Sequence, residues 1–144
     1  ERVEREEEYL TSLVNDIKEI LHVARLKPGK IYVYTAEKWK WDVLRAIKDV
    51  EDKDKIREAM KFRKDKTTAE FVKRAMKTLR KASSKEEASS YFELDEEAVL
   101  EREREYLMHV FGCEVEINSD YDPENKRRLA IPLKPAIYVV CSEG

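Results

Sequence analysis

The chain has 144 residues, 42% of them apolar and 42% charged, with a formal net charge of −2. That length allows one domain, or one small domain plus an appended element, with a real buried core. Ordinary domains carry about 25% charged residues, so this composition suits helices laced with ion pairs. Near-zero net charge removes the whole chain from the obvious nucleic-acid binders, and no apolar run approaches the ~18 residues of a membrane span. Three glycines exclude most Gly-rich phosphate cradles. No signal-peptide pattern is present. The chain starts at Glu1, without Met and in mid-helix by its pattern, and reads as a piece of something longer.

In chain order, Leu10, Leu13, Val14, Ile17, Ile20, Leu21 and Ala24 follow the helical period, predicting an amphipathic helix from near Val3 to near Arg25. Lys27-Pro28-Gly29-Lys30 breaks it and is a candidate boundary. Ile31 to Thr35 predicts a strand, and Thr35 a cap for a helix running to about Val50. On that helix Ala36, Trp39, Val43, Ala46, Ile47 and Val50 share a face, which assigns Trp39 to the core. Trp41 falls opposite, with Lys38, Arg45 and Lys48. Two readings of Trp41 stay open: packing against another element, or a ring in a basic face that stacks on a base or ribose.

A short basic helix is predicted from about Asp54 to Phe62. Thr67 with Glu70 makes a capping box for a helix with Phe71, Val72, Ala75, Met76 and Leu79 on one face. The serines at 83, 84, 89 and 90 mark a loose polar stretch. Asp95 caps a further helix with Val99, Tyr106, Leu107, Val110 and Phe111 on its apolar face, and Gly112 ends it. Cys113 to Ile117 and Ala136 to Cys141 read as strands joined across a long polar loop. The predicted class is α+β: an N-terminal helix, then one strand, several helices and a C-terminal β-hairpin, making a three-stranded sheet. If the hairpin pairs 117 with 137, then Cys113 faces Cys141, although free thiols suit a reducing compartment better.

Charge is unevenly distributed. Residues 53–81 hold twelve Lys/Arg against four Asp/Glu, a surplus of eight. Residues 85–105 hold three against nine, a deficit of six. The first block is a candidate for an anionic partner as well as a solvated face. Its densest part, Lys61, Arg63, Lys64 and Lys66 around Phe62 and Asp65, lies at a helix junction, where phosphates are often gripped. Lys27 and Lys30 flank the first break, and Lys126, Arg127 and Arg128 lie on the long loop. No catalytic set appears: there is no P-loop, no Ser-His-Asp set and no zinc-ligand spacing among His22, His109, Cys113 and Cys141. The stretch Lys81 to Lys85 superficially resembles the ATP-loop lysine-serine motif of class I aminoacyl-tRNA synthetases, but lacks the nucleotide-binding sheet and upstream His motif that it needs.

The region from Glu7 to Ile47, with IYVYTAEKWKW at its centre, resembles the end of archaeal- and eukaryotic-type leucyl-tRNA synthetases. FGCEVEI, DPENKRR and LKPAIYV follow in the order of that family's closing segment, whereas the middle matches only in being helical and basic. The tail from Val140 to Gly144 extends beyond the usual end. The resemblance implies that residues 1–28 are the last helix of an anticodon-binding bundle and 29–144 a C-terminal tRNA-binding domain. It implies a cytoplasmic parent ligase that uses ATP, with no cofactor, metal or catalytic residue in this segment. It implies tRNA(Leu), at its elbow and long variable arm, and the upstream domains as partners, with no membrane. Lys27, Lys30, Lys38, Trp41, Arg45, Lys61, Arg63, Lys64, Lys66, Lys126, Arg127 and Arg128 are then the candidate RNA contacts. The alternative is a protein-interaction module, with the first helix and Trp41 as its surface.

Overall fold

The computed structural model describes residues 2–79 and 94–142. The serine-rich stretch and the lysine-serine motif at 81–85 lie outside the described residues. The chain divides into two compact units: residues 1–36 with 94–144, and residues 37–93.

The first unit opens with α1 (Arg2–Ala24), which buries Tyr9, Leu13, Val14 and Ile17. Arg25 takes a left-handed conformation (φ 54°), and Leu26 N–H donates to Leu21 O at 3.0 Å, so the helix ends in a Schellman turn. Over the last turns Leu21 still packs against the core, but Ile20 (39%) and Ala24 of the predicted stripe are exposed, as is Val23 (73%), which lay outside it. β1 (Pro28–Tyr34) follows. Its Ile31 and Val33 join the core made by α1, while strand alternation turns Tyr32 and Tyr34 to the opposite face. The helix therefore shares its core with the sheet, and the two compact units divide at 36/37 and 93/94.

α5 (Glu96–Arg102) and α6 (Arg104–Phe111) close this core with Val99, Leu100 and Leu107. Asp95 caps α5 as expected, its Oδ1 accepting from Ala98 N–H at 3.1 Å. Tyr106, expected on the apolar face, is 49% exposed, because the break at Glu103 turns α6 relative to α5. Gly112 (φ 66°) ends α6 in the left-handed region, where a side chain is strained. β2 (Glu114–Ile117) adds Val115 and Ile117 to the core. A polar loop with a 3-10 turn at Lys126–Leu129 leads to β3 (Ala136–Cys141).

The class is α+β with a three-stranded sheet, as expected, but the sheet contains no C-terminal hairpin. Its order is β2-β1-β3, with β1 parallel to β2 (Lys30 opposite Glu114, Val33 opposite Ile117) and antiparallel to β3 (Tyr34 opposite Ala136, Lys30 opposite Val140). Ile31, Tyr32, Val33 and Tyr34 are all buried, the mark of a strand covered on both faces, and such a strand takes the centre. Because β1 separates β2 from β3, Cys113 and Cys141 are not cross-strand neighbours, and both are free thiols. Gly29 lets the ends of β1 and β3 approach: a Cβ there would lie 3.1 Å from Ser142 Cα.

The second unit is helical: α2 (Lys38–Ile47), a 3-10 turn at Asp52–Asp54, α3 (Lys55–Phe62) and α4 (Lys66–Leu79). It buries Val43, Leu44, Ile47, Ala59, Phe71, Val72 and Ala75. Lys55 Nζ donates at 2.8 Å to Ile47 O, which also accepts from Val50 N–H at 3.0 Å, so the last carbonyl of α2 is tied to α3. Glu37, not Thr35, stands at the N-cap of α2. Thr35 instead exchanges two hydrogen bonds with Asn118, its N–H donating to Oδ1 at 2.8 Å and its Oγ1 accepting from Nδ2 at 2.9 Å. At α4 the cap is Asp65, whose Oδ1 accepts from Thr67 N–H at 3.0 Å, so the Thr67 capping box is corrected by two residues.

Candidate nucleic-acid interface

The face of α2 is also corrected. Its buried residues are Lys40, Trp41, Val43, Leu44 and Ile47, while Ala46 is exposed. The buried face centres on Lys40 and Leu44, leaving Trp39 and Trp41 about 100° to either side. A lysine at the centre of an apolar face misleads any reading by periodicity. Lys40 is 1% exposed, and burial, with Arg74 nearby, lowers its pKa to about 8 against the opposing pull of Glu37. Its ammonium lies 5.6 Å from the Trp39 ring centre and 5.8 Å from that of Phe71.

Trp41, the sequence's candidate stacking ring, is 9% exposed, with the Arg45 guanidinium 5.9 Å from its centre. Burial removes it as an open platform. Trp39 is only half-buried. Its edge meets Phe71 at 5.3 Å and 74°, its indole N–H donates to Glu37 Oε2 at 3.1 Å, and Arg63 stacks 3.8 Å from its centre. Such a cation–π contact is worth about 0.5–2 kcal/mol, so Arg63 helps to join α2 to the α3–α4 junction. Arg63 also reaches Thr68 Oγ1 at 3.4 Å and Asp65 at 3.8 Å. Hydrogen bonds from Thr67 hold the Asp65 carboxyl below its ordinary pKa, consistent with its capping role.

The other basic candidates of this unit separate by what they already touch. Lys61 pairs with Glu58 at 3.1 Å and Arg45 with Asp42 at 3.6 Å, both within one helix. Lys38, Lys64 and Lys66 are exposed and meet no acidic side chain among the described residues. On α4, Lys66, Lys73 and Lys77 are spaced by seven and eleven residues, which places them within about 40° of one another. All three are exposed, and at ~1.5 Å per residue the stripe runs about 16 Å. The sequence reading passed over Lys73 and Lys77, although the same helical spacing applied to charge would have found them.

In the sheet unit, Lys27 is exposed, and its backbone carbonyl accepts from Ser142 N–H at 2.8 Å. Lys30 is committed to Glu116 at 3.1 Å and Glu114 at 3.7 Å, and lies 5.1 Å from the Tyr32 ring centre. Hydrogen bonding to Glu116 raises its pKa. The basic loop is well ordered by contacts. Asp122 accepts from Lys126 N–H at 2.7 Å and Arg127 N–H at 3.0 Å, and Arg127 donates to Ser119 O at 2.8 Å while lying 5.5 Å from the Tyr34 ring centre. Arg128 is exposed. Among the described residues no three His, Cys, Asp or Glu converge as a metal site, and no helix is long and apolar enough to cross a membrane.

Comparison with known proteins decides the family. The chain is 40% identical over 141 residues to the leucine–tRNA ligase of Pyrococcus abyssi and 37% over 147 residues to that of Methanocaldococcus jannaschii, each match covering 96% of the chain. That of Methanothermobacter thermautotrophicus is 38% identical over 92% of it. The chain is homologous to the C-terminal region of archaeal leucine–tRNA ligases. It spans about 14% of the length of these ligases. No family model matches. Homology thus runs through the middle of this ligase region as well, where the sequence resemblance had stopped at helical and basic character.

Proposed function

We propose that the chain is the tRNA-binding C-terminal domain of a leucine–tRNA ligase, which positions tRNA(Leu) by its elbow and long variable arm for ATP-dependent leucylation elsewhere in a cytoplasmic enzyme. It performs no chemistry itself. The observation that supports this reading best is the lysine stripe of α4, Lys66, Lys73 and Lys77, preceded by Lys64: four exposed ammonium groups with no acidic partner among the described residues. An RNA backbone offers phosphates along such a line, and each contact releases counterions.

Salt dependence tests it. Four phosphate contacts give a slope of about −3 in a plot of log affinity against log salt, from about 0.7–0.9 per contact. Changing Lys64, Lys66, Lys73 and Lys77 together to Gln should make the slope shallower by about 3 and weaken binding at low salt. In the parent ligase, deleting the segment should lower aminoacylation and leave leucine-dependent pyrophosphate exchange intact. A loss of exchange would contradict a purely RNA-positioning role.

The protein-docking alternative retains one observation. The burial of Trp41 removes half of its proposed surface, but Ile20 and Val23 stay exposed on α1. That apolar end suits contact with upstream domains of the same ligase, and such docking would be nearly insensitive to salt.

A further inference from the structure

The face of the sheet turned away from the α1 core carries tyrosines from three segments. Tyr32 of β1 is the floor, at 7% exposure. Tyr121 of the loop lies 5.2 Å from it at 44°, and Tyr138 of β3 lies 6.0 Å from it at 35°. Tyr121 and Tyr138 are 6.5 Å apart and tilted by 51°, so the three rings form one aromatic cluster whose outer ring is Tyr121. Tyr121 is 52% exposed.

A half-exposed ring on a loop ordinarily loses orientational freedom when it binds anything. The backbone of Tyr121 is held in advance. Its carbonyl accepts from the buried Tyr34 hydroxyl, and its N–H donates to Ser119 Oγ at 3.1 Å. Ser119 O in turn accepts from Arg127 at 2.8 Å, and the Asn118–Thr35 pair ties the start of the loop to the end of β1. Preorganisation of this kind lowers the ordering cost of binding. The same loop carries Lys126, Arg127 and Arg128 a few residues after the ring, and both carboxylate oxygens of Asp122 accept backbone N–H bonds, from Lys126 and Arg127.

We propose that Tyr121 and Tyr138, backed by Tyr32, form a stacking seat for one unpaired RNA nucleobase, with the basic turn at 126–128 taking its flanking phosphate. The stacking role that the sequence left open at Trp41 falls, on this proposal, to residues of the sheet unit. The seat rests on the tRNA-binding reading above and adds to it the residues that read a base rather than grip a backbone. An unpaired base offers a flat, uncharged face that can lie on the half-exposed Tyr121 ring, and RNA recognition relies on such stacking wherever bases are not paired.

The test is a titration of the chain with a leucine tRNA at two salt concentrations. Stacking is worth about 1–3 kcal/mol per base, so Tyr121→Ala should weaken binding by about 5- to 150-fold. The salt slope should not change, because no charge is lost. Tyr121→Phe should restore affinity, whereas Tyr121→Leu, which keeps apolar contact with Tyr32, should not. Wild-type affinity in both Tyr121→Ala and Tyr121→Leu, with the lysine variants still impaired, overturns the seat and leaves the tRNA-binding reading standing. Restored affinity in Tyr121→Leu reduces the ring to a packing group and also overturns it. Salt-insensitive or absent tRNA binding by the wild-type chain overturns both.

Discussion

Replacing Glu96 by Gln probes a buried carboxyl in the core of the sheet unit. Glu96 is 3% exposed. Its Oε1 accepts from the Tyr9 hydroxyl at 2.7 Å, linking α1 to α5. Burial raises the Glu96 pKa from 4.5 to about 7. Asp95 adds to the rise, and hydrogen bonds from Tyr9 and the Leu133 backbone oppose it. The folded chain therefore holds this proton more tightly than the unfolded chain. Between pH 4.5 and about 7 the unfolded state is ionised while the folded state remains protonated, so stability falls as pH rises across that window. The shift of 4.5 to 7, at ~1.4 kcal/mol per unit, makes the fall about 3 kcal/mol. Gln keeps an acceptor for Tyr9 and does not titrate. The stability of Glu96→Gln minus that of wild type should therefore rise by about 3 kcal/mol from pH 4.5 to pH 7.5, whatever fixed cost its amide adds. Urea unfolding followed by far-UV circular dichroism, repeated at half-unit steps, measures this difference. Parallel stability curves would refute the reasoning, since they would mean that Glu96 is ionised in both states.

Trp39→Leu removes the ring stacked by Arg63 and should cost about 1–3 kcal/mol in the helical unit. If the stack carries part of that cost, Arg63→Ala should add little in the Trp39→Leu background, which a double-mutant cycle reads directly. Gly112→Ala places a Cβ at φ 66° with open space around it, so backbone strain alone should lower stability by about 1 kcal/mol in thermal unfolding. Tyr34→Phe withdraws the donor from the Tyr121 carbonyl and should expose the 119–127 amides to faster hydrogen exchange while α4 amides keep their rates.

Much of the local structure was legible in the sequence because local rules wrote it. The period of Leu13, Val14 and Ile17 made α1, Asp95 capped α5, and Gly112 ended α6. The basic excess at 61–66 was also visible, because charge is counted rather than folded. What tertiary structure decided was pairing and partnership. Strand order depends on which edges meet, and no local signal at 114–117 or 136–141 shows that β1 lies between them. The one sign was that Ile31 to Tyr34 is apolar on both alternations, which demands cover on both faces. The wheel of α2 failed at Lys40, because periodicity assigns a lysine to solvent while the fold surrounds it with Trp39 and Phe71. The same limit governs the candidate site. Sequence names the cations, but only the fold shows that Lys30 and Lys61 are already paired with glutamates, while Lys64 and Lys66 meet no acidic side chain among the described residues. It also gathers Tyr32, Tyr121 and Tyr138, far apart in the chain, into one aromatic cluster, because a sheet brings distant strands side by side.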